Sequence, residues 1–225
     1  MNMITRRNIL VAAAVTPILT LPGCASSTGF SLVEAIRRLL SLSSQRAFAS
    51  LLRENGFLDD QIARIDLPDA FGGDRVTNIV SAILRSGAFR SRLTKQVNRA
   101  AEKGAEIAAP MVAEAIQSIT IADALSVVKG GTSAATDLLK GQMGTALITA
   151  MVPGIDSGLK LFDSAVVTEA LKLTTGINFA GLRDDVTQKA SDAIYRTMAR
   201  EEAAIRANPQ GTNDPLLIGV FGLLK

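Results

Sequence analysis

From Ser31 onward, apolar residues recur three and four positions apart, the period of a helix that packs on one side. Ser31-Leu-Val-Glu34 has the pattern of a capping box, in which a serine at the helix start and a glutamate three residues later satisfy free backbone N–H groups. Leu32, Ile36, Leu39 and Leu40 then lead on to Phe48, Leu51 and Leu52. The first helix is therefore expected to start at Ser31 and to stop at Asn55-Gly56, residue types that tolerate the left-handed turn ending many helices. Phe57 to Ile65 reads as a short helical turn before an extended Ile65-Asp-Leu-Pro68 segment, because the residue before a proline is steered out of the helical region.

Asp74 can cap a second long helix with Val76, Ile79, Val80, Ile83 and Leu84 on one face and Gly87 as its stop. Phe89, Leu93, Val97, Ala100, Ala101 and Gly104 carry a third, and Pro110 predicts a fresh start for Met111 to Ile119. Thr120-Ile-Ala-Asp123 is a further cap-like start, closed by Gly130-Gly131. Leu138, Leu139, Leu147 and Ile148 predict one apolar helix ending near Pro153, and Ile155 to Thr175 follows with Leu159, Phe162, Val166 and Leu171 in register. The last long helix is expected from about Arg183 to Ala207, with Val186, Ala190, Ala193, Ile194, Met198 and Ile205 inward and Asn208-Pro209 as its stop. A short apolar helix, Pro215 to Leu224, starts behind Asp214. No stretch alternates apolar and polar residues long enough for a strand. The expectation is a single all-α domain over residues 31–225, with about seven to nine helices.

Before Ser31 the pattern changes. Arg6 and Arg7 precede a run of thirteen uncharged residues, Ile9 to Leu21, and Gly23 stands directly before Cys24. A helix needs about twenty apolar residues to cross a bilayer, so this run is too short for an anchor and matches a cleavable export signal. Leu21-Pro22-Gly23-Cys24 resembles the lipobox of bacterial lipoproteins, where a peptidase cuts before the cysteine and its sulfur receives a diacylglycerol. Pro22 departs from that pattern, which has a small or aliphatic residue there. The resemblance implies that residues 1–23 are a signal peptide and residues 24–30 a lipidated cysteine with a short linker. Thr5-Arg6-Arg7-Asn8-Ile9-Leu10 also resembles the twin-arginine export signal. Cys24 is the one cysteine of the chain, and a lone thiol in an oxidising compartment has no disulfide partner to protect it. Acylation would make it the membrane tether, since more than one hydrocarbon chain anchors stably. The implied location is the periplasm, held at the membrane. Ala25 is not the aspartate that retains enteric lipoproteins at the inner membrane, which favours the outer one.

Removing the signal changes the charge picture. It carries two of the 24 basic residues and none of the 21 acidic ones, so the formal charge falls from +3 to +1. No lysine-arginine cluster follows, tryptophan is absent and Tyr195 is the only tyrosine. The electrostatic footprint and the stacking platform of a nucleic-acid binder are both missing, so no nucleic-acid partner is expected. Histidine is absent as well. Ser-His-Asp and Cys-His nucleophilic sites, histidine-containing zinc sites and histidine-held haem are thereby excluded, and neither a cofactor nor a metal is expected.

Four phrases stand in order along the domain: Gly56-Phe-Leu with Ile65-Asp-Leu-Pro68; Asn98-Arg-Ala-Ala-Glu102; Ile121-Ala-Asp123-Ala-Leu with Gly130-Gly131 and Ala135-Thr136; and Glu201-Glu-Ala-Ala-Ile-Arg206-Ala-Asn-Pro209. Together they resemble domain-of-unknown-function family 4197, a group of bacterial envelope proteins. The resemblance covers Leu32 to Phe221 and implies an all-helical fold and an export route, with no activity attached.

The polar residues of these phrases form the candidate cluster: Asn98, Arg99, Glu102, Thr120, Asp123, Glu202 and Arg206. Asn98 and Glu102 share a helix face and can either line a ligand pocket or organise a helix contact, the latter being the commoner fate of buried polar groups. Thr120 and Asp123 fit a helix cap better than a cation site. Glu202 and Arg206, at the favourable spacing of four, read as a solvated, salt-bridged helix end. No catalytic residue is assigned. The first reading of function is a lipid-anchored envelope module that acts by interaction or scaffolding with an envelope protein partner, without catalysis. The alternatives are a carrier or sensor of an apolar ligand held between helices, and a carboxylate hydrolase using Glu102 or Asp123.

Overall fold

A computed structural model describes residues 31–67, 86–122, 124–160 and 179–222 of the chain. Residues 74–85 of the helix expected from Asp74, most of Ile155 to Thr175, and Asp123, Cys24, Arg6 and Arg7 lie outside these residues, and Gly87, the expected stop of that helix, instead opens the next one. Among the described residues there are seven α-helices, one short 3-10 helix and no strand. They form a single helical domain, as the apolar period predicts.

The first helix, α1 (Leu32–Leu51), starts where expected: the Ser31 hydroxyl accepts from the Glu34 N–H at 3.3 Å. It ends at Leu51, four residues before the expected Asn55-Gly56 stop, and the chain turns away there. Asn55 takes a left-handed φ of 59°, and a side chain at Gly56 would run into the carbonyls of Ser50 and Leu51. Leu51 is fully buried and Leu52 is exposed, so the apolar face ends one residue earlier than its sequence suggests.

The second described helix, α2 (Gly87–Ser118), runs unbroken through Pro110, against the expectation of a restart there. Proline removes one N–H and crowds the preceding turn, but Pro110 and Glu106, whose carbonyl loses its bond, both face solvent. On the other face Ala105, Ala108, Val112 and Ile116 are buried and hold both halves on one axis. Helix α3 (Ala124–Lys129) ends at Gly130, as predicted. The single apolar helix expected next is two: α4 (Ala134–Met143) and α5 (Ala146–Leu159), broken where Gly144 adopts φ 52°. Pro153 lies exposed within α5 and does not end it, because Met151, Gly154, Ile155 and Leu159 pin the opposite face.

Helices α2 and α5 cross at a distance that only small residues permit. A Cβ on Gly154 would stand 2.5 Å from the Lys103 carbonyl oxygen, and one on Gly158 would stand 2.6 Å from the Ala100 Cβ. The longest partner of the remaining elements is α6 (Phe179–Ala207), whose Val186, Ala190, Ala193, Ile194, Met198 and Ile205 are all buried as expected. It packs on α1, α2, α4 and α5. After Ala207 the chain passes through a 3-10 helix (Pro209–Thr212) into α7 (Pro215–Gly222), whose first turn is capped by Asp214 at 2.8 Å from the Leu216 N–H.

Candidate functional site

Five of the seven candidate residues fall in two buried clamps and one open cleft, Thr120 lies elsewhere, and Asp123 is outside the described residues. The first clamp is centred on Glu202, which has no exposed surface although it was expected in solvent. One carboxylate oxygen accepts from the Ala135 N–H at 3.0 Å and from Arg206 Nε at 2.8 Å. The other accepts from the Thr136 N–H at 2.7 Å and from the Thr136 hydroxyl at 2.6 Å. Ala135 and Thr136 lie in the first turn of α4, where free N–H groups and the helix dipole favour an anion. The solvated helix end is thus corrected: spacing places Glu202 and Arg206 on one face, but only the packing of α4 on α6 buries that face.

Arg206 completes the circuit. Its two terminal nitrogens donate to the carbonyls of Val127 and Val128 at 3.1 and 3.0 Å, in the last turn of α3, and its guanidinium stacks 4.8 Å above the Phe221 ring of α7. One Glu-Arg pair therefore ties the start of α4, the end of α3 and α7 to α6. The end of α3 presents backbone carbonyls and the start of α4 backbone N–H groups, so each charge meets the complementary end of a helix.

The second clamp is Asn98. Its Oδ1 accepts from the Ile65 N–H at 2.9 Å, and its Nδ2 donates to the Ile65 carbonyl at 2.9 Å and to the Thr94 carbonyl at 2.8 Å. The extended strap after α1 is thereby pinned to α2 through both backbone groups of one residue. Arg200 reinforces it, with a 2.8 Å ion pair to Asp60. Burial works against ionisation of Asp60, but Arg200 and the N–H groups of Ile62 and Ala63 prevail and hold its carboxyl below the ordinary range.

Of the candidates, Arg99 and Glu102 meet in an open cleft. It has a volume of about 520 Å³ and is lined by Leu52, Gln96, Arg99, Glu102, Lys103 and Glu106. Burial raises the pKa of Glu102, partly offset by the backbone N–H groups of Phe57 and Gly56 and by Arg99. Its Oε1 is buried without a hydrogen-bond partner. Arg99 is exposed and faces Glu54 at 3.7 Å. Thr120 is elsewhere and does not cap a helix: α3 begins at Ala124, and the Thr120 N–H donates to Gln142 Oε1 at 3.2 Å. The six described candidates are therefore not one site.

A model of the family described as "Protein of unknown function (DUF4197)" matches residues 26–222. The chain belongs to this family. No curated protein and no solved structure matches it. In this member of DUF4197 all four sequence phrases contribute to the two clamps, pairwise: Ile65 with Asn98, and Ala135-Thr136 with Glu202 and Arg206. Sequence reading did not anticipate Gln142, or Gln96, which donates to the Gly158 carbonyl at 2.7 Å, since neither carries a motif. Among the described residues no three carboxylates or thiols approach closely enough to hold a metal ion, and no helix is long and apolar enough to cross a membrane.

Proposed function

We propose that the protein is an exported, lipid-anchored module of the cell envelope that acts by binding a partner protein, without catalysis. Cys24 is its acylated first residue, and residues 25–30 are the linker to the helical domain. One observation carries the non-catalytic reading: the most deeply buried polar side chains of the candidate set, Asn98 and Glu202, are saturated by the fold's own backbone and side-chain groups. A group already satisfied from within has little to offer a substrate.

The carrier reading has weaker support. Apolar ligands favour enclosed apolar pockets. Here the α2–α5 contact is filled to backbone distance, and the cleft beside Glu102 is open and lined largely by charged side chains. The hydrolase reading retains a single described carboxylate, Glu102, with a raised pKa in a cleft.

Two measurements test the proposal. Cells given radiolabelled palmitate should label the wild-type chain and leave Cys24→Ala unlabelled; equal labelling sinks the anchor. Native mass spectrometry of the protein released from envelopes without denaturant should give the mass of the acylated polypeptide alone. A stoichiometric apolar molecule at that step would replace the interaction module with the carrier.

A further inference from the structure

The tether, if placed at Cys24, restricts which side of the domain can face the lipid. Ser31 is exposed and opens α1, and seven Cα steps separate it from Cys24, a reach of about 25 Å at full extension. The first turns of α1 must then stay close to the bilayer surface.

Two elements adjoin them. Arg38 of α1 pairs with Asp214, the cap of α7, at 3.1 Å, and both α3 and α7 pack on α1. The last turn of α3 and the ring of Phe221 in α7 are joined through Arg206. On these elements apolar side chains remain accessible. Leu125 of α3 is 50% exposed, more than any other large apolar residue among those described, and on α7 Ile218 is half-buried while Leu216 packs partly against the core. Lys129, exposed one turn after Leu125, stands where a cation can reach a lipid phosphate while the leucine enters the acyl boundary. Arg38 is compensated by Glu34 at 3.0 Å and by Asp214, while Arg37 beside it donates to the Ile119 carbonyl.

We propose that α3 and α7 form a lipid-facing surface, with Leu125 and Ile218 set into the interfacial layer of the membrane that holds the tether. The inference rests on the anchor at Cys24 proposed above. A domain on a linker this short meets the bilayer continually, so even a small apolar face gains from the high local concentration of lipid. Docking there would turn the opposite side, with the Glu102 cleft and the strap, toward the periplasm.

The absence of tryptophan makes the test direct. Leu125→Trp introduces a single tryptophan, and Leu52→Trp places one on an exposed position of the strap side as the control. Each full chain is expressed, purified from membranes and reconstituted into phosphatidylethanolamine–phosphatidylglycerol vesicles containing bromine-labelled acyl chains, with circular dichroism to confirm the helical fold. Ile218→Trp replaces the first variant if that one does not fold. Bromine should quench the position 125 reporter at least about twofold more than the position 52 reporter, with blue-shifted emission. Equal quenching in acylated protein overturns the lipid-facing surface and leaves the anchor standing. Blue-shifted emission at position 125 without quenching assigns that face to protein, a second copy included, and also overturns it. The intact mass of the same preparation reports the anchor separately: an unacylated chain with selective quenching overturns the anchor and keeps the surface, and an unacylated chain that leaves the vesicles overturns both.

Discussion

Glu202 and Arg206 stand one turn apart on α6, and their 2.8 Å ion pair lies inside the protein, with side chains 0% and 10% exposed. A buried pair of this kind is held less by its own attraction than by the hydrogen bonds that satisfy its remaining atoms. Removing one partner strands the other. Glu202→Ala should therefore lower the unfolding free energy by about 3–5 kcal/mol, and Thr136→Val by about 1 kcal/mol, both read from urea unfolding. A Glu202→Ala cost under about 1 kcal/mol would mean that α4 and α6 are not joined through this carboxylate.

Asn98 does for the strap what Glu202 does for α4. Asn98→Ala leaves both the Ile65 N–H and carbonyl without their partner, at a cost of about 3 kcal/mol. Limited proteolysis should cut first between residues 59 and 67 in the variant, at a protease concentration that leaves the wild type intact. Unchanged cleavage would place the strap's hold elsewhere, on Arg200 and Asp60.

The α2–α5 crossing admits a sharper contrast. Gly154→Ala drives a methyl group into the Lys103 carbonyl and should destabilise by about 2 kcal/mol, whereas Gly131→Ala, with nothing within 4 Å of its added carbon, should change stability by less than about 0.5 kcal/mol. Thermal unfolding of the pair separates a packing requirement from a general cost of replacing glycine.

Glu102 gives a pH dependence of known sign. Its folded pKa is raised, so the folded state keeps a proton that the unfolded chain releases. The stability this contributes is fully present below the unfolded value of about 4.3 and declines as pH rises through the folded value. Glu102→Gln carries no ionisation there. It should be more stable than the wild type at pH 7, and the difference should vanish near pH 4. A variant less stable at pH 7 would mean that the ionised carboxylate is needed, by the Gly56–Phe57 turn or by Arg99.

Much of the fold was legible in single residues. Ser31, Gly130, Asn208-Pro209 and Asp214 act through bonds made within a few positions of themselves, and each begins or ends a helix where the sequence places it. Pro110, Pro153 and Gly144 misled for the complementary reason. Proline weakens a helix by one hydrogen bond, which an outward position and a buried opposite face can offset, and a glycine inside an apolar run breaks the run only if its neighbours pack in different directions.

The candidate residues divide in the same way. The sequence by itself determined that Asn98 and Glu102 share a helix face, that Glu202 and Arg206 share another, that histidine chemistry is absent, and that the chain forms helices. Those follow from composition and from a period of 3.6, which each segment carries alone. Only the tertiary structure decided that Asn98 turns to Ile65, 33 residues away, that Glu202 meets Thr136 across 66, and that Glu102 keeps a buried oxygen without a partner. Burial and saturation are properties of two surfaces brought together, and no segment contains the surface that will cover it.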